Sequence, residues 1–496
     1  MTTHHLKNLA IYFAAFCFLL SNVTLVSGQD KAKKMDSLIS AYHQLNLFNG
    51  SILVARKGKI VFKKSYGMAN KEFDIPNSTT TKFRIGSISK QFTAMLIMQL
   101  KQAGKLDLQG KITDYLPWYR KETGNKITVH NLLTHTSGLP NYTELPNFVS
   151  ELGLIKYEPK DFALKYCSGD LEFEPGTKQV YCNTDYFLLG LIVEAVAGQP
   201  FDQVLKQNIL DVAGMNNTGI DHPEEIVKNR AAGYDYTFDG YVNTDYINMA
   251  SAVFGCGAMY STVEDLYRWD RILYTNKLLS AENMKIYFTP FLEDYAYGWI
   301  VRKHKNFMGL NAEMTTIAHA GGINGFSSMI GRIPEDESFF ILLDNSRAGT
   351  RGGLLDGVID DVITIMYNKP VSMPKPLPAY ALYDKLKTSN VREAVAYYNY
   401  LKKNEQAKYN FNTVRNDLNN LGRFLDSKNR AEDALAVYQL NADENPSSPE
   451  VSDTYAAALL KAGQKEAALK RFKKSLELDP NDQHAKEQIK KIEGNQ

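Results

Sequence analysis

Ser87 and Lys90 stand three residues apart, where an apolar helix is predicted to begin. The run that follows, F92-T-A-M-L-I-M-Q-L100, is apolar enough for a largely buried helix. Residues three apart share a helix face, so the Lys90 amine can lie beside the Ser87 hydroxyl and remove its proton during nucleophilic attack. A serine before such a run is also a common helix cap, with no chemistry of its own. Deciding between the two requires the rest of the chain.

None of the short motifs is specific alone. A second S-x-x-K, Ser372 to Lys375, lies in a proline-rich stretch where no helix can orient the lysine. H-x-G, at His319 to Gly321, is unrepeated. Y-x-N occurs five times, beginning at Tyr181, Tyr241, Tyr246, Tyr274 and Tyr397. Choosing among these copies depends on the order and context of several motifs.

Six stretches, in chain order, resemble the serine β-lactamase-like family, which includes class C β-lactamases, secreted DD-peptidases, some esterases and D-amino-acid peptidases. They are FRIGSISKQFTA, LLTHTSGLP, PGTKQVYCNTDYFLLGLIVE, GCGAMYSTVEDLYRW, YGW and HAGGINGFSS. The resemblance covers roughly Phe48 to Tyr367. It implies an α/β (α+β) β-lactamase/DD-peptidase-like fold, in which an antiparallel sheet is flanked by helices and a helical region packs on it. It also implies a reaction through an acyl-enzyme.

The resemblance implies a role for each motif residue. Ser87, at a helix N-terminus whose dipole favours negative charge, would be the nucleophile. Lys90 would accept its proton, and Tyr181 would be the second base, which passes the proton to the leaving group and later activates water. Asn183 would hydrogen-bond the acyl amide of the substrate or orient Lys90. The backbone N–H groups of Ser87 and Gly322 would form the oxyanion hole.

The segment from His319 to Gly322 is predicted to be an edge strand whose glycines leave room for substrate, which makes His319 and Gly321 candidate substrate-binding residues. Most β-lactamases of the resembling family carry Lys-Thr-Gly here, whereas some DD-peptidases and peptidase or esterase relatives carry His. A neutral imidazole anchors a carboxylate less well than an ammonium, and an unperturbed imidazole titrates at about pH 6.5. Efficient β-lactamase activity is therefore not expected. The alternative for His319 is a core histidine.

His135, in LLTHTSGLP, suggests a serine–histidine pair. In the resembling family this stretch is a structural turn, and Lys90 and Tyr181 already supply the bases. We therefore predict a structural role for His135 and assign it no part in the chemistry.

The chain of 496 residues is 44% hydrophobic, long enough for a large domain and a second unit. A formal net charge of +2 without clustering argues against nucleic-acid binding. Residues 1–28 hold one lysine, an apolar run from Leu9 to Leu20 and small final residues, which predicts a signal peptide cleaved after Gly28. A membrane anchor is the alternative, but these twelve apolar residues are short of the roughly 20 that a spanning helix needs. We expect an exported protein, periplasmic or extracellular, without a transmembrane anchor after cleavage.

Three cysteines, Cys167, Cys182 and Cys256, would remain after cleavage. Their odd number excludes a framework of disulfides, and three buried free thiols are expected, although Cys167 and Cys182 could form one bridge in an exported protein. No Cys/His spacing indicates a metal site, and neither a metal nor an organic cofactor is implied.

Strand patterns at both ends of residues 29–368 predict one domain with a sheet built from both chain ends. SILVARKGKIVFKKSYGMAN, from Ser51, predicts a hairpin that turns at K57-G-K59. Strands are predicted again from Tyr295, in YAYGWIVRK, TTIAHAGG, GFSSMIGRIP and SFFILLDN, before a helix from Leu354 to Tyr367. Four prolines between Lys369 and Pro378 indicate a linker over residues 369–379.

Residues 380–496 are predicted to form an all-α domain with a repeat of 34 residues. Small and aromatic positions recur in register, with Gly422, Ala434, Tyr438 and Pro446 followed by Ala456, Ala468, Phe472 and Pro480. The pattern resembles tetratricopeptide repeats (TPR), and VREAVAYYNYLKKN resembles a degenerate third unit. An ordinary helical bundle is the alternative. A TPR-like domain could bind a protein partner.

Together the motifs predict an exported serine hydrolase that forms an acyl-enzyme on Ser87. A peptidase or esterase of the penicillin-recognising type, acting on amide or ester bonds in small or D-amino-acid-containing substrates, ranks above a β-lactamase. The alternative from another class is a non-catalytic binding or scaffold protein that uses the hydrolase fold and the repeats. Retention of Ser87, Lys90 and Tyr181 argues against that alternative.

Overall fold

The computed structural model describes residues 30–347 and 354–494. They form two compact units. The first comprises the chain up to Asp235, Asn243–Arg347 and residues 354–372, and the second comprises Tyr236–Val242 and the chain from Met373 onwards. The predicted signal peptide, residues 1–28, lies outside the described residues.

The first unit is built on a six-stranded antiparallel sheet. Its strands are β1 Gly50–Arg56, β2 Lys59–Ser65, β3 Ile300–His304, β4 Met314–Ile323, β5 Phe326–Ile333 and β6 Ser338–Asp344. The order across the sheet is β3-β4-β5-β6-β1-β2, so β1 pairs with β6 from the far end of the unit. The predicted hairpin and the sheet built from both chain ends are confirmed.

Alternation along the central strands divides the apolar core into two layers, because successive side chains point to opposite faces of a sheet. On one face, Ile52 and Leu342 share an apolar cluster with the helix at residues 30–44 and with helix Leu354–Met366. On the other face, Leu53 and Ile341 belong to the core of a helical region. Lysines along β2 line the sheet edge, which discourages pairing with another strand.

The helical region occupies the chain between β2 and β3. Its centre is helix Ser89–Gln102, in which eleven of 14 residues are buried and which packs against helix Asn183–Ala197. The other α-helices are Ile112–Tyr115, Lys121–Gly124, Val129–Leu133, Pro159–Tyr166, Phe201–Leu205, Asp211–Ala213, Met249–Ala252, Val263–Ile272 and Ala281–Tyr287. Shorter elements are the 3₁₀ turns Gly86–Ile88, Tyr142–Glu144, Leu152–Leu154, Phe307–Gly309 and Pro334–Asp336, the π-helical turn Lys206–Leu210, and the strands Met68–Asn70, Ile75–Pro76, Phe83–Arg84, Gly219–Ile220, Met259–Ser261 and Ser346–Arg347.

The first strand predicted after the helical region begins later than expected. Residues 295–299 form an irregular bend, and β3 starts at Ile300. The prediction of an edge strand from His319 to Gly322 holds for these residues but not for the whole strand. β4 lies inside the sheet, but β3 pairs with it only from Met314 to Ala318, so among the described strands the rest of β4 has β5 alone as its neighbour.

The expected state of the cysteines is confirmed, because Cys167, Cys182 and Cys256 are all buried and free. Within residues 30–347 and 354–494, no single helix has both the length and the apolar composition to cross a membrane. The helices over Asn183–Ala197 and Phe201–Ala213 would meet that criterion only as a pair, across a bend of 81°.

The second unit is helical, as predicted. Helix Val391–Asn404 coincides with the stretch interpreted as a degenerate repeat. The linker is shorter than predicted, because a helix begins at Pro378, a residue type suited to the first helical position. In order, the helices described in this unit are Pro378–Leu386, Val391–Asn404, Val414–Ser427, Ala431–Glu444, Pro449–Lys461, Lys465–Leu478 and Gln483–Gly494, with a 3₁₀ turn at Gln406–Lys408.

The recurring small and aromatic positions of this unit are buried in its core. Gly422 shows why one of them must be small: a Cβ there would lie 2.4 Å from the Tyr438 ring. The regular pairing of successive helices, such as Val414–Ser427 with Ala431–Glu444, follows from this packing of small residues under aromatic ones.

The second unit also contains a hairpin from an earlier part of the chain. Strands Tyr234–Thr237 and Gly240–Asn243 place Phe238 at the hairpin tip. The Phe238 ring is 5% exposed, and its centroid lies 4.6 Å from that of Tyr380 and 5.4 Å from that of Phe424. The Tyr383 hydroxyl donates to Asp239 at 2.6 Å. Residues 236–242 are thus part of the core of the helical unit.

Phe238→Ala is expected to destabilise the helical unit by about 3–5 kcal/mol, because truncating a buried phenylalanine leaves a cavity. The three tryptophans, Trp118, Trp269 and Trp299, all lie in the first unit. When unfolding by denaturant is monitored by far-ultraviolet circular dichroism, the helical unit of the variant should therefore unfold at a lower denaturant concentration than in the wild type. The unfolding midpoint monitored by tryptophan fluorescence should not change. Phe73→Ala is the matched control, because Phe73 is 77% exposed. An unchanged dichroism midpoint for Phe238→Ala would contradict the expectation.

Candidate active site

Ser87 lies in a single 3₁₀ turn, Gly86–Ile88, that leads directly into helix Ser89–Gln102. Among the described residues, neither element has a side-chain cap at its first position. The Ser89 hydroxyl instead donates to the Gly86 carbonyl at 2.7 Å and so stabilises the turn. The structure therefore does not support the alternative interpretation of Ser87 as a helix cap. The Ser87 hydroxyl points to other partners.

Lys90, one turn further along, is the buried cation of the site. Its Nζ donates to Ser87 Oγ at 3.1 Å, to Asn183 Oδ1 at 2.8 Å and to the Cys256 carbonyl at 3.0 Å. Three acceptors match the three donors of an ammonium group. The side chain is fully buried, so these bonds replace the water that the charge has lost.

Tyr181 lies 94 residues after Ser87 in the chain, and its hydroxyl donates to Ser87 Oγ at 2.6 Å. The Lys90 Nζ lies 4.7 Å from the centroid of its ring, a cation–π distance. Tyr181 is 36% exposed, which leaves one side of the site open to solvent. Asn183 begins helix Asn183–Ala197, and its Nδ2 donates to Thr143 Oγ1 at 2.9 Å, which fixes the amide that faces Lys90.

The structure thus brings together Ser87, Lys90, Tyr181 and Asn183, as the motifs predict. Two donors converge on Ser87 Oγ, an arrangement that stabilises negative charge on that oxygen as its proton leaves. An amine or a phenolate at these positions could accept the Ser87 proton, so the transfer requires that Lys90 or Tyr181 first give up a proton of its own. Of the five Y-x-N copies, only the one at Tyr181 makes a hydrogen bond to Ser87 among the described contacts.

The turn that carries Ser87 packs directly against β4. A Cβ on Gly86, whose φ is +51°, would lie 2.8 Å from the Gly322 nitrogen, and one on Gly321 would lie 2.1 Å from the Ile85 carbonyl. Glycine at 86 and 321 therefore allows turn and strand to approach each other. Gly322 has open space where its Cβ would be. Of the two glycines predicted to make room for substrate, Gly322 faces free space, whereas Gly321 makes room for the turn.

His319 is buried, with 5% exposure, and both ring nitrogens have protein partners. Its Nδ1 lies 2.6 Å from the Ala320 carbonyl, and its Nε2 lies 3.2 Å from the Tyr295 hydroxyl. Burial and the nearby positive charge of Lys90 lower the pKa of His319 to about 4. The value of an unperturbed imidazole therefore does not apply, and the ring is neutral at physiological pH.

The motifs assigned no role to His135, Tyr295 or Asp185, but the structure places all three behind Tyr181. The His135 ring lies 4.6 Å from the Tyr181 ring between centroids, its Nδ1 is 3.0 Å from Asp185 Oδ2, and its Nε2 is 3.2 Å from the Tyr295 hydroxyl. His135 has φ +56°, a conformation uncommon for a residue with a side chain. The available sequence signal was that His135, Tyr181 and Asp185 fall within motifs of the same family.

No group of His, Cys, Asp and Glu side chains in the described part of the chain could hold a metal ion.

Comparison with known proteins agrees with this geometry. The family model described as Beta-lactamase matches residues 35–362. Penicillin-binding protein 4* of Bacillus subtilis (strain 168) is 28% identical over 70% of this chain and 78% of its own length. Teichoic acid D-alanine hydrolase of Staphylococcus aureus is 25% identical over 69% of this chain and 80% of its own. The crystal structure of a penicillin binding protein from Bacillus halodurans superposes with a TM-score of 0.58 and 27% identity, covering 66% of this chain and 98% of that one.

The family match spans more than half of the chain and includes every residue of the cluster around Ser87. The antiparallel sheet, the flanking helices and the helical region are those that the resemblance implied. The alternative of a non-catalytic binding protein is set aside by these findings. The chain belongs to the β-lactamase family and is a serine hydrolase.

Proposed function

We propose that this serine hydrolase forms an acyl-enzyme on Ser87 and cleaves ester or amide bonds in small or peptide substrates that contain D-amino acids. The observation that carries the proposal is the convergence of the Lys90 ammonium and the Tyr181 hydroxyl on Ser87 Oγ, at 3.1 and 2.6 Å. In this proposal one of the two, Lys90 as the amine or Tyr181 as the phenolate, accepts the Ser87 proton as the bond from Oγ to the substrate carbonyl carbon forms. Tyr181 then delivers a proton to the leaving group as the bond to that group breaks. Asn183 orients Lys90 and binds the acyl amide.

The proposed oxyanion hole consists of the backbone N–H groups of Ser87 and Gly322. Its support is the close approach of the two segments, in which the Gly322 nitrogen would lie 2.8 Å from a Cβ at Gly86. Because Gly322 faces open space, a substrate carbonyl has room at this position. Because a strand and a helical turn already hold these donors in place, they need no reorganisation when negative charge develops on the substrate oxygen.

The ranking of a peptidase or esterase above a β-lactamase rests on His319. The neutral ring replaces the lysine that most β-lactamases carry, and both of its nitrogens already have protein partners. The D-amino-acid preference is supported by a relative whose name specifies a D-alanine hydrolase and by others named as penicillin-binding proteins.

The test uses purified protein with four substrates: a D-alanine ester, a D-amino-acid amide, a cell-wall peptide and a chromogenic cephalosporin. A fluorophosphonate probe should label wild-type protein, and turnover should favour the D-ester or D-amide over its L-enantiomer. Faster turnover of the cephalosporin than of every ester and amide would replace the proposal with a β-lactamase. If neither the probe nor any of the substrates acylated the protein, the proposed acyl-enzyme would be refuted.

The lowered pKa of His319 gives a prediction about pH. An imidazole with a pKa of about 6.5 is about 3% protonated at pH 8 and about 90% at pH 5.5, whereas one with a pKa of about 4 is only about 3% protonated at pH 5.5. His319 should therefore not help to bind a carboxylate anywhere between pH 8 and pH 5.5. Two ligands that differ only in a carboxylate should show a ratio of Kd values that changes less than about twofold over this range.

The Kd values are measured by calorimetry on Ser87→Ala protein, which binds without turnover. The neutral member of the ligand pair is the control for general effects of pH. A carboxylate ligand that binds about tenfold more tightly at pH 5.5 than at pH 8, without a matching change for the neutral one, would show a protonated His319 and contradict the prediction.

Two further properties remain part of the proposal. The first is export to the periplasm or to the outside of the cell, with removal of residues 1–28. Its support is the apolar run from Leu9 to Leu20. The helical unit is proposed to be TPR-like and to bind a protein partner, supported by the 34-residue recurrence and by the paired helices of Pro449–Lys461 and Lys465–Leu478. Intact-mass analysis of exported protein tests the cleavage, and affinity capture with the full-length protein tests for a protein partner.

A further inference from the structure

Four side chains form a continuous row of hydrogen bonds behind Tyr181. Asp185 Oδ2 lies 3.0 Å from His135 Nδ1, His135 Nε2 lies 3.2 Å from the Tyr295 hydroxyl, and that hydroxyl lies 3.2 Å from His319 Nε2. All four side chains are buried. The proposed reaction uses none of them except His319, yet a row of this length has only a few consistent arrangements of its protons.

The His319 end of the row fixes the direction of the hydrogen bonds. The Ala320 carbonyl can only accept, so His319 Nδ1, 2.6 Å away, carries a hydrogen. A neutral His319 then has a bare Nε2, which must accept from the Tyr295 hydroxyl. Because that hydroxyl donates its single hydrogen to His319, it can only accept from His135. His135 therefore has its hydrogen on Nε2 and a bare Nδ1.

The contacts of His135 Nδ1, at the other end of the row, indicate the same tautomer of His135 independently. The backbone N–H of Cys182 can only donate, and it points at His135 Nδ1 from 3.2 Å. Nδ1 must therefore be an acceptor, which agrees with the bare Nδ1 that the His319 end of the row requires. Asp185 Oδ2 lies 3.0 Å from the same nitrogen. Two acceptors at this distance would repel each other, so Oδ2 must carry a proton and donate it to Nδ1. The Ser137 hydroxyl satisfies the other oxygen of that carboxyl group.

The environment favours these neutral forms. Burial lowers the pKa of His135 well below its usual range and raises the pKa of Asp185 well above its usual range. The titratable groups that face the His135 ring are Lys90, Tyr181, Asp185, Tyr186, Tyr295 and His319. Among them, the positive charge of Lys90 opposes a second positive charge on either histidine. The Asp185–His135 contact is therefore a hydrogen bond between neutral groups, not an ion pair.

His135 also holds the segment that carries Tyr181 on both sides. The His135 carbonyl accepts from the Val180 N–H at 2.9 Å, and its Nδ1 accepts from the Cys182 N–H at 3.2 Å. Tyr181 lies between these two bonds with its ring on the imidazole. A residue that fixes the neighbours of Tyr181 on both sides sets where its hydroxyl meets Ser87.

We propose that His135 is a positioning residue for Tyr181, held in its Nε2–H tautomer by a protonated Asp185, and that Tyr295 transmits this order to His319. The role of His135 in catalysis rests on the proposed function of Tyr181, but the order of protons does not. The row ends in a His319 whose nitrogens are both occupied, so the site offers substrate no imidazolium at this position. The substrate class that fits is an ester or amide whose group near His319 is uncharged.

The kinetic test compares two substitutions at Asp185. Asn has the shape of a protonated aspartic acid, and its Nδ2 can donate to His135 Nδ1 while its oxygen accepts from Ser137. Asp185→Asn should therefore keep kcat for the best ester or amide within about threefold of wild type, whereas Asp185→Ala should lose about 10-fold or more. KM for a small neutral substrate should be unchanged in both. If Asp185 were ionised and received Nδ1–H, Asp185→Asn would select the wrong tautomer, a change that costs on the order of 10⁴ in a Ser-His-Asp triad.

A fall of kcat in Asp185→Asn to the level of Asp185→Ala, in a folded protein, would overturn the proposal. His135→Phe keeps a ring under Tyr181 but loses the acceptor for Cys182, so kcat should fall at least about 10-fold with KM little changed. A His135→Phe enzyme with wild-type kcat would remove His135 from the positioning role.

Ring ¹⁵N spectra of the wild-type protein at pH 7 test the proton order without any activity and without a variant that must fold. His135 should show a bare Nδ1 and a protonated Nε2, and His319 the reverse. The opposite tautomer in either ring, or a doubly protonated ring, would overturn the proposal. If the tautomers are as expected but Ser87 is never acylated, the proposed function fails and the order of protons stands.

Discussion

Ser87→Ala is expected to abolish acyl-enzyme formation and to reduce kcat by about 10⁴-fold or more, because removing the nucleophile of a serine hydrolase leaves only binding and oxyanion stabilisation. The fold should be unaffected, since the Ser87 side chain caps no helix and the turn is held by Ser89 instead. Intact-mass analysis after incubation with a fluorophosphonate measures the adduct directly.

The second S-x-x-K motif supplies a matched control. Ser372→Ala removes a serine in the same local pattern, but from the segment before helix Pro378–Leu386 where no helix orients Lys375. This variant should be labelled as fully as the wild type. A covalent adduct on Ser87→Ala protein, or its loss from Ser372→Ala, would refute the assignment of Ser87.

Lys90→Met is expected to lower kcat by about 10²- to 10⁴-fold, the range that general acid and base catalysis supplies. The substitution keeps a long side chain in the buried space but removes all three hydrogen bonds that Lys90 donates. It also removes the positive charge that faces Ser87 Oγ. Single-turnover kinetics with an activated ester should show the loss in the acylation step.

Lys101→Met is the matched control on the same helix. Lys101 donates to Asn283 Oδ1 at 2.7 Å, far from the cluster around Ser87, so its loss should leave kcat near the wild-type value. Tyr181→Phe, which deletes only the hydroxyl in contact with Ser87, should fall in the same range as Lys90→Met. A Lys90→Met enzyme with kcat close to that of Lys101→Met would remove Lys90 from the mechanism.

The proposed order of protons behind Tyr181 distinguishes this site from a Ser-His-Asp triad. A histidine beside a buried carboxyl group and near the proposed nucleophile resembles a triad in composition, but the ring of His135 bonds to Tyr295 and Cys182. The His135 ring contacts Tyr181 and not the serine. In the proposed mechanism the base chemistry therefore stays with Lys90 and Tyr181, and His135 positions Tyr181.

Local patterns in the sequence were sufficient for the elements and for half of the site. Apolar periodicity predicted helix Ser89–Gln102, and the K57-G-K59 turn predicted the β1–β2 hairpin, because both depend on residues a few positions apart. The spacing of Ser87 and Lys90 already placed their side chains together, since one helical turn fixes that distance. The 34-residue recurrence likewise predicted paired helices.

Local patterns could not decide which distant residues complete the site, a choice that needed the family resemblance and the tertiary structure. Tyr181 and Asn183 reach Ser87 and Lys90 across more than 90 positions, and no periodicity could select Tyr181 from five Y-x-N copies without the family resemblance. The turn at His135 and the bend at Tyr295 carry no local signal of a shared hydrogen bond, because 160 positions separate them. Packing of the helical region on the sheet brings them into contact.

The same reason explains the expectations that failed. The titration of His319 depends on burial and on Lys90, neither of which a short motif contains. Gly321 looked like space for substrate, yet the Ile85 carbonyl occupies that space. Residues 236–242 belong to the helical unit through the burial of Phe238, although their sequence lies inside the hydrolase region. The sequence alone determined types of element and local pairs of side chains, whereas charge, tautomer and free space followed from long-range packing that has no period along the chain.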